Sequence, residues 1–172
     1  MAARFAFELA SPVDDLVHGL KYEGWRELAG LMGEAVARLD VPDQWVRNAV
    51  VVPVPTTPNR LRSRGYNQAA LLAMRVADLR RLPLVNALER REGAGSQTTL
   101  TRDERRRNVR GAFAPTREAA RARGRTVLLV DDVLTTGATV SEAADALSEA
   151  GVPEVVVLTF ARVVPTRARD AA

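Results

Sequence analysis

Cysteine is absent from the sequence, so neither disulfides nor thiolate metal centres can form within these 172 residues. Long apolar runs are missing too. No stretch approaches the ~20 residues that a membrane-spanning helix needs, so no membrane span is expected. The first residues, MAARFAFELASPVDD, carry a single Arg and reach an acid within ten positions. That is a poor secretory leader, and a cytoplasmic location is the expectation. Lysine is nearly absent as well: of 25 Lys+Arg, set against 21 Asp+Glu, Lys21 is the only lysine. Almost all the positive charge is therefore guanidinium, a planar fork that pairs bidentately with phosphate oxygens. Phosphorylated ligands and nucleic acid are credible partners. A GC-rich genome would also raise Arg at the expense of Lys, and it accounts for part of the excess.

What is present suits one domain with one sizeable core, the hydrophobic share being 47%. Val13 to Leu39 reads as one or two helices, with Leu16, Val17 and Leu20, then Leu28, Leu31, Met32, Ala35 and Val36, on an apolar stripe. Pro42 closes it. Ala49-Val50-Val51-Val52 is a continuous apolar run, as expected of a strand buried on both faces. It ends in Pro53-Val54-Pro55-Thr56-Thr57-Pro58, where three prolines forbid a helix or a central strand. Asn67 to Leu79 returns to helical period through Ala70, Leu71, Met74 and Ala77.

Leu84-Val85 and Gly111-Ala112-Phe113 are candidate short strands. Between them Glu89 to Arg110 is polar and Arg-rich, with Gly93, Gly95 and Ser96 inside it, a composition for a mobile loop leading into a short helix. Thr126 to Val130 is the clearest buried strand. Thr139 to Glu149 follows as a helix, Gly151 stands where a helix-ending glycine belongs, and Glu154 to Phe160 is the next strand. Strand, helix, strand at this spacing is a βαβ unit, so an α/β fold with a mainly parallel sheet covered by helices is expected. These readings divide the chain into an N-terminal helical segment (1–45), a core (46–164) and a tail (165–172).

The strongest chemistry lies at the end of the Thr126 strand. Parallel α/β sheets bind ligands beyond the carboxyl ends of their strands. Asp131 and Asp132 stand at such an end, followed by Val133-Leu134-Thr135-Thr136-Gly137-Ala138-Thr139 and a helix. A helix N-terminus with unpaired N–H groups attracts anions. Thr135, Thr136 and Thr139 add hydroxyl donors, and Gly137 admits a close backbone approach. Two adjacent carboxylates do not help bind phosphate. They accept hydrogen bonds from vicinal hydroxyls or attract a divalent cation. A phosphate beside a diol is a ribose 5-phosphate. An Asp pair after a strand also occurs in phospho-acceptor receiver domains, but those place it near the start of the chain and lack the Thr-Thr-Gly-x-Thr continuation.

The stretch LLVDDVLTTGATVSEA resembles the loop of type I phosphoribosyltransferases that binds 5-phosphoribosyl-1-pyrophosphate (PRPP). The resemblance implies that Asp131 and Asp132 hold the ribose 2′- and 3′-hydroxyls and that Thr135 through Thr139 wrap the 5-phosphate. A second stretch, VVPVPTTPNRLRSRGYNQAALLA, is similar to the competence protein ComF group of phosphoribosyltransferase-like proteins. HGLKYEGWRELA (His18 to Ala29) resembles their N-terminal helical segment, and Arg90, Gln97, Leu100, Arg105, Asn108 and Phe113 match their middle region. Together these cover about His18 to Arg162. The expected architecture is thus the type I phosphoribosyltransferase fold with a small N-terminal helical hood.

The resemblance assigns further roles. The turn Val54 to Pro58 would cradle pyrophosphate through Thr56 and Thr57, with Arg60 and Arg64 as countercharge. Arg62 has a weaker case, a solvated surface charge being the ordinary alternative. Asn67 and Gln68 either belong to this site or simply start the helix. Glu89 to Arg110 occupies the place of the flexible loop that closes over PRPP, with Arg90, Gln97 and Arg105 as contacts. His18, the only histidine, sits beside Leu16, Val17 and Leu20 and is more readily structural than catalytic. Many ComF relatives begin with a small zinc-binding domain built on paired cysteines. This sequence has none, so either the module was never present or the sequence begins after it; no zinc is expected, and nothing that module does carries over.

Two classes of function follow. One is Mg²⁺-assisted transfer of phosphoribose from PRPP to an amine or nucleobase nitrogen. The other is a binding role in natural transformation, in which the chain handles single-stranded DNA or nucleotides. A DNA surface would draw on Arg102, Arg105, Arg106, Arg107 and Arg110, spaced so that a helix there presents Arg on more than one face. Single-strand binding usually adds aromatic stacking platforms. Tyr22, Trp25, Trp45 and Tyr66 are the only Trp and Tyr, which weakens that reading. No motif names the acceptor. Relatives of this fold often dimerise, so a homodimer is a further expectation.

Overall fold

The computed structural model describes residues 1–91 and 111–164. Its strands are β1 (Ala2–Glu8), β2 (Ala49–Pro53), β3 (Leu88–Arg90), β4 (Phe113–Pro115), β5 (Thr126–Leu134) and β6 (Glu154–Arg162). The helices are α1 (Val13–Tyr22), α2 (Leu28–Ala37), the single turn α3 (Asp43–Val46), α4 (Pro58–Arg64), α5 (Gln68–Arg80) and α6 (Ala138–Glu149). The main sheet has the order β1-β6-β5-β2, and every pairing in it is parallel. Leu84 adds one parallel bridge beside Val51, on the far side of β2. Strands β3 and β4 form a separate antiparallel pair.

Helices cover both faces of the sheet, which is why β2 and β5 can be apolar at nearly every position. Val127 and Leu129 of β5 pack with Val50 and Val52 of β2 against Val140, Ala143 and Leu147 of α6, with Leu88 and Phe113 beside them. Leu128 and Val130 turn the other way, with Ala49 and Val51, against Leu20 of α1, Met32 and Val36 of α2, and Leu72 and Val76 of α5. Full burial of side chains of this size stabilises by ~1.5–3 kcal/mol each. The N-terminal helices are therefore part of the sheet's own core.

Several expectations shift. Residues 2–8 are the edge strand β1, paired with β6, inside the segment read as helical. Their partner lies some 150 residues away, and only one side of an edge strand is covered, so no continuous apolar run marks it. Strand β5 runs on to Leu134, so Asp131 to Leu134 belong to the strand rather than to a loop. Glu89 and Arg90, read as the start of a loop, lie in β3, and the strand expected at Gly111 to Phe113 is centred on Ala114. The buried stripes are also rotated. Leu31 and Met74 are exposed, whereas Ala29, Met32, Gly33 and Val36 of α2 face Ala69, Leu72, Ala73 and Val76 of α5. Gly33 allows this approach: a Cβ there would lie 2.7 Å from Arg75 Cβ and 3.2 Å from the Leu72 carbonyl oxygen. The 165–172 tail lies outside the described residues.

Candidate functional site

A polar cleft of about 180 Å³ opens at the carboxyl ends of β2 and β5. Four segments far apart in sequence meet there. Lys21 and Tyr22 come from the end of α1, Val54 to Thr56 from the turn after β2, Arg60, Arg64 and Asn67 to Ala69 from α4 and the start of α5, and Asp131, Asp132 and Thr139 from β5 and α6. Arg90 of β3 completes the wall.

The two carboxylates are held differently. The period of two along β5 sends neighbouring side chains to opposite faces. Asp132 is buried on the α1 side: its Oδ2 lies 2.9 Å from Lys21 Nζ, and its Oδ1 accepts the Val133 N–H at 2.8 Å. Asp131 has Arg90 as a charged neighbour on the other side, and its Oδ1 accepts the Asp132 N–H at 2.9 Å. Withdrawal from water, and then the charge of Asp132 beside it, push the Asp131 carboxyl up to about 8. The Asp132 N–H and the Lys21 ammonium oppose that rise without cancelling it.

Cations gather opposite. Burial pushes the Arg90 guanidinium down from its ordinary value, the charge of Arg60 adds to this, and Asp131 opposes it. Arg90 also stacks over Phe113, 5.2 Å from the ring centroid, and its buried Nε has no hydrogen-bond partner among the described residues. Arg64 lies 4.9 Å from the Tyr22 ring centroid. Three guanidiniums facing one polar cleft repel one another unless an anion lies between them.

The backbone shapes the rest. Gly137 takes φ 81°, a left-handed conformation that favours glycine, and stands at the N-cap of α6. No side chain caps that helix, and Thr136 Oγ1 makes only a long 3.4 Å contact with the Ala138 N–H. The first turn of α6 therefore keeps donors for an anion. Thr139 lines the cleft, Thr135 and Thr136 are exposed, Gly137 and Ala138 are half-buried, and Val133 and Leu134, the last residues of β5, pack into the core. In the turn after β2, Thr56 lines the cleft, whereas Thr57 caps α4 by accepting the Arg60 N–H at 3.3 Å. Asn67 stands at the N-cap of α5 but does not cap it. Its Nδ2 donates to the Val54 carbonyl at 3.0 Å and braces that turn. Gln68 is 4% exposed, lines the cleft, and has no partner for Nε2 among the described residues.

Other candidates are not brought here. Arg62 is exposed and donates to Asn59 Oδ1. His18 is exposed, with Nδ1 3.4 Å from Glu23 Oε1, and is no part of the cleft wall. Gln97, Arg102, Arg105, Arg106, Arg107 and Arg110 lie outside the described residues. The sequence assigns no site role to three residues of the cleft wall, Lys21, Tyr22 and Ala69. The available signal was a lone ammonium in a chain whose other basic side chains are guanidinium.

The sequence profile of the Phosphoribosyl transferase domain matches residues 62–170. "Competence protein F" of Haemophilus influenzae is 34% identical over 156 residues, covering 88% of this chain and 68% of its own length. The chain belongs to the competence protein F family. Within that family it is also 31% identical to "DNA utilization protein YhgH" of Escherichia coli K12, over 90% of this chain and 69% of the relative. "Competence protein ComFC" of Bacillus subtilis matches at 31% over 61% of this chain and 40% of its own length. The fold is accordingly that of a phosphoribosyltransferase domain, a mainly parallel α/β sheet flanked by helices. Among the described residues no helix is long and apolar enough to cross a membrane.

Proposed function

We propose that the cleft binds PRPP. The observation that carries this reading is the meeting, in one cleft, of an acid pair, three guanidiniums and the open N-terminus of α6. Asp131 and Asp132 accept hydrogen bonds from the ribose 2′- and 3′-hydroxyls. Thr135 to Thr139 and the α6 N–H groups receive the 5-phosphate, and Arg60, Arg64 and Arg90, with Thr56, face the pyrophosphate. The phosphate subsite thus offers backbone N–H and hydroxyl donors, and the diol subsite presents carboxylate acceptors.

The same layout favours pentosyl transfer. Departure of pyrophosphate builds negative charge on the leaving group and positive charge on the ribose ring. Guanidiniums on one side and carboxylates on the other stabilise both without a covalent intermediate. An amine or nucleobase nitrogen is the acceptor class this chemistry serves. Mg²⁺ would enter with the ligand, and the acid pair that lines the cleft borders the diol subsite it would approach. When bound with PRPP it would neutralise pyrophosphate charge.

The names of the relatives favour a second reading, in which the same chain handles DNA or nucleotides in transformation. Thermal unfolding with PRPP, Mg²⁺, nucleotides and oligonucleotides separates the two. PRPP with Mg²⁺ should raise Tm, and Asp131→Asn/Asp132→Asn should remove the rise. Above about pH 8, where both carboxylates are ionised, charge-assisted bonds contribute ~1.5–3 kcal/mol each. At ~1.4 kcal/mol per decade the double variant should lose on the order of 10²–10⁴ in affinity. Unchanged PRPP binding in a folded double variant would remove the assignment of the loop.

A further inference from the structure

The ion pair between Lys21 and Asp132 ties α1 to the acid pair at 2.9 Å, with 23% and 11% of the two side chains exposed. An ion pair this sheltered is screened less by salt than one on the surface. Adjacent carboxylates that must both accept hydrogen bonds from a diol need a positive charge beside them, or their mutual repulsion opposes the doubly ionised state. In this cleft Lys21 supplies such a charge beside Asp132, and it offsets part of the repulsion that Asp131 meets. We infer that Lys21 is the resident counter-cation of Asp131 and Asp132, so that the pair accepts a furanose 2′,3′-diol without a divalent ion.

The identity of the side chain supports this role. An ammonium is a compact charge with rotatable donors, whereas a guanidinium fork takes both oxygens of one carboxylate. Asp132 has about four lone-pair sites when ionised. Val133 N–H and Lys21 use one each, which leaves about two for a ligand. A purely structural role, pinning α1 to the sheet, would duplicate existing contacts. Leu20 is already in the core, and its carbonyl already accepts a hydrogen bond from Tyr66.

This inference rests on reading the acid pair as the diol site, and the test separates the two. Ribose 5-phosphate is the probe, because it has the diol and the phosphate but no pyrophosphate on which Mg²⁺ could ride. Calorimetry with and without Mg²⁺ would be run on the wild type, Lys21→Met and Lys21→Arg, with PRPP in parallel. The wild type should bind ribose 5-phosphate equally in both conditions. Lys21→Met should bind on the order of tenfold to a hundredfold more weakly in chelator and recover with Mg²⁺. Lys21→Arg keeps the charge and should stay independent of Mg²⁺ even where its affinity falls. Wild-type binding of ribose 5-phosphate that requires Mg²⁺ would overturn the inference, and this arm needs no variant to fold. Undiminished affinity in folded Lys21→Met, or a loss that Mg²⁺ does not restore, would overturn it too. Binding of PRPP but not of ribose 5-phosphate would overturn the inference and leave the PRPP reading standing. Binding of neither would remove both.

Discussion

The Tyr66 hydroxyl donates to the Leu20 carbonyl at 2.5 Å, joining segments 46 residues apart. Leu20 lies in the last turn of α1, where carbonyls have no intrahelical partner. The bond therefore satisfies a buried acceptor and sets where Lys21 and Tyr22 enter the cleft. Tyr66 is itself covered by Arg26, whose guanidinium carbon stands 4.5 Å from the ring centroid and whose Nη2 donates to the Gly65 carbonyl.

Tyr66→Phe keeps the ring and leaves that carbonyl unsatisfied, at a cost of ~1–3 kcal/mol. For a domain of this size each 1 kcal/mol corresponds to ~2–4 °C, so Tm should fall by roughly 2–12 °C. PRPP affinity should fall with it, because the end of α1 loses its anchor. Calorimetric melting and titration check both, and an unchanged Tm would show that the bond contributes nothing.

Gln68 buries an amide nitrogen that has no partner among the described residues. Such a group costs stability in the empty site and repays it only when a ligand offers an acceptor. Gln68→Met, similar in volume, should hold or raise the Tm of the free protein. It should also weaken PRPP binding by on the order of tenfold. Lower stability with unchanged affinity would make Gln68 a structural residue.

Asp131 gives a pH signature. Its carboxyl rises from 3.8 in the unfolded chain to about 8 in the folded one, so the folded state holds the extra proton. The associated stability is complete below the unfolded value and is lost as pH climbs through the folded one. The free protein should therefore weaken, relative to Asp131→Asn, between about pH 4 and pH 8. The variant should be the more stable at pH 8 and bind PRPP poorly. Urea melts across this range test it, and a constant gap between the two proteins would contradict the shift.

Much of this was readable in the sequence because local pattern and tertiary role coincide. The run Thr126 to Val130 is apolar at both parities because both faces are covered, and the acids and threonines after it mark where the apolar requirement ends. The strand at Ala2–Glu8 was hidden because its evidence is non-local, resting on pairing with β6. The buried stripes of α2 and α5 are rotated from the apolar pattern, since Leu31 and Met74 are as apolar as their buried neighbours and Gly33 is not. In the site, carboxylates next to a Thr-rich loop announce their chemistry. Lys21 does not, because only the fold carries the end of α1 to within 2.9 Å of Asp132.

The DNA reading is open to a direct test. Arg102, Arg105, Arg106, Arg107 and Arg110 are close in sequence in a chain of net charge +4, with Asp103 and Glu104 offsetting part of the charge. Modest affinity for single-stranded DNA is the expectation. Neutralising phosphates releases counterions, with a slope of about −0.7 per contact on single strands. Three contacts would give log K against log salt a slope near −2, on the same estimate of about −0.7 each. Arg106→Glu/Arg107→Glu should abolish that binding and leave stabilisation by PRPP intact, because neither residue is among the expected loop contacts Arg90, Gln97 and Arg105 or belongs to the Asp131–Thr139 segment. Salt-independent binding, or full binding by the double variant, would place the DNA surface elsewhere. If no oligonucleotide binds at low salt while PRPP still raises Tm, the small-molecule transferase is the function this cleft serves.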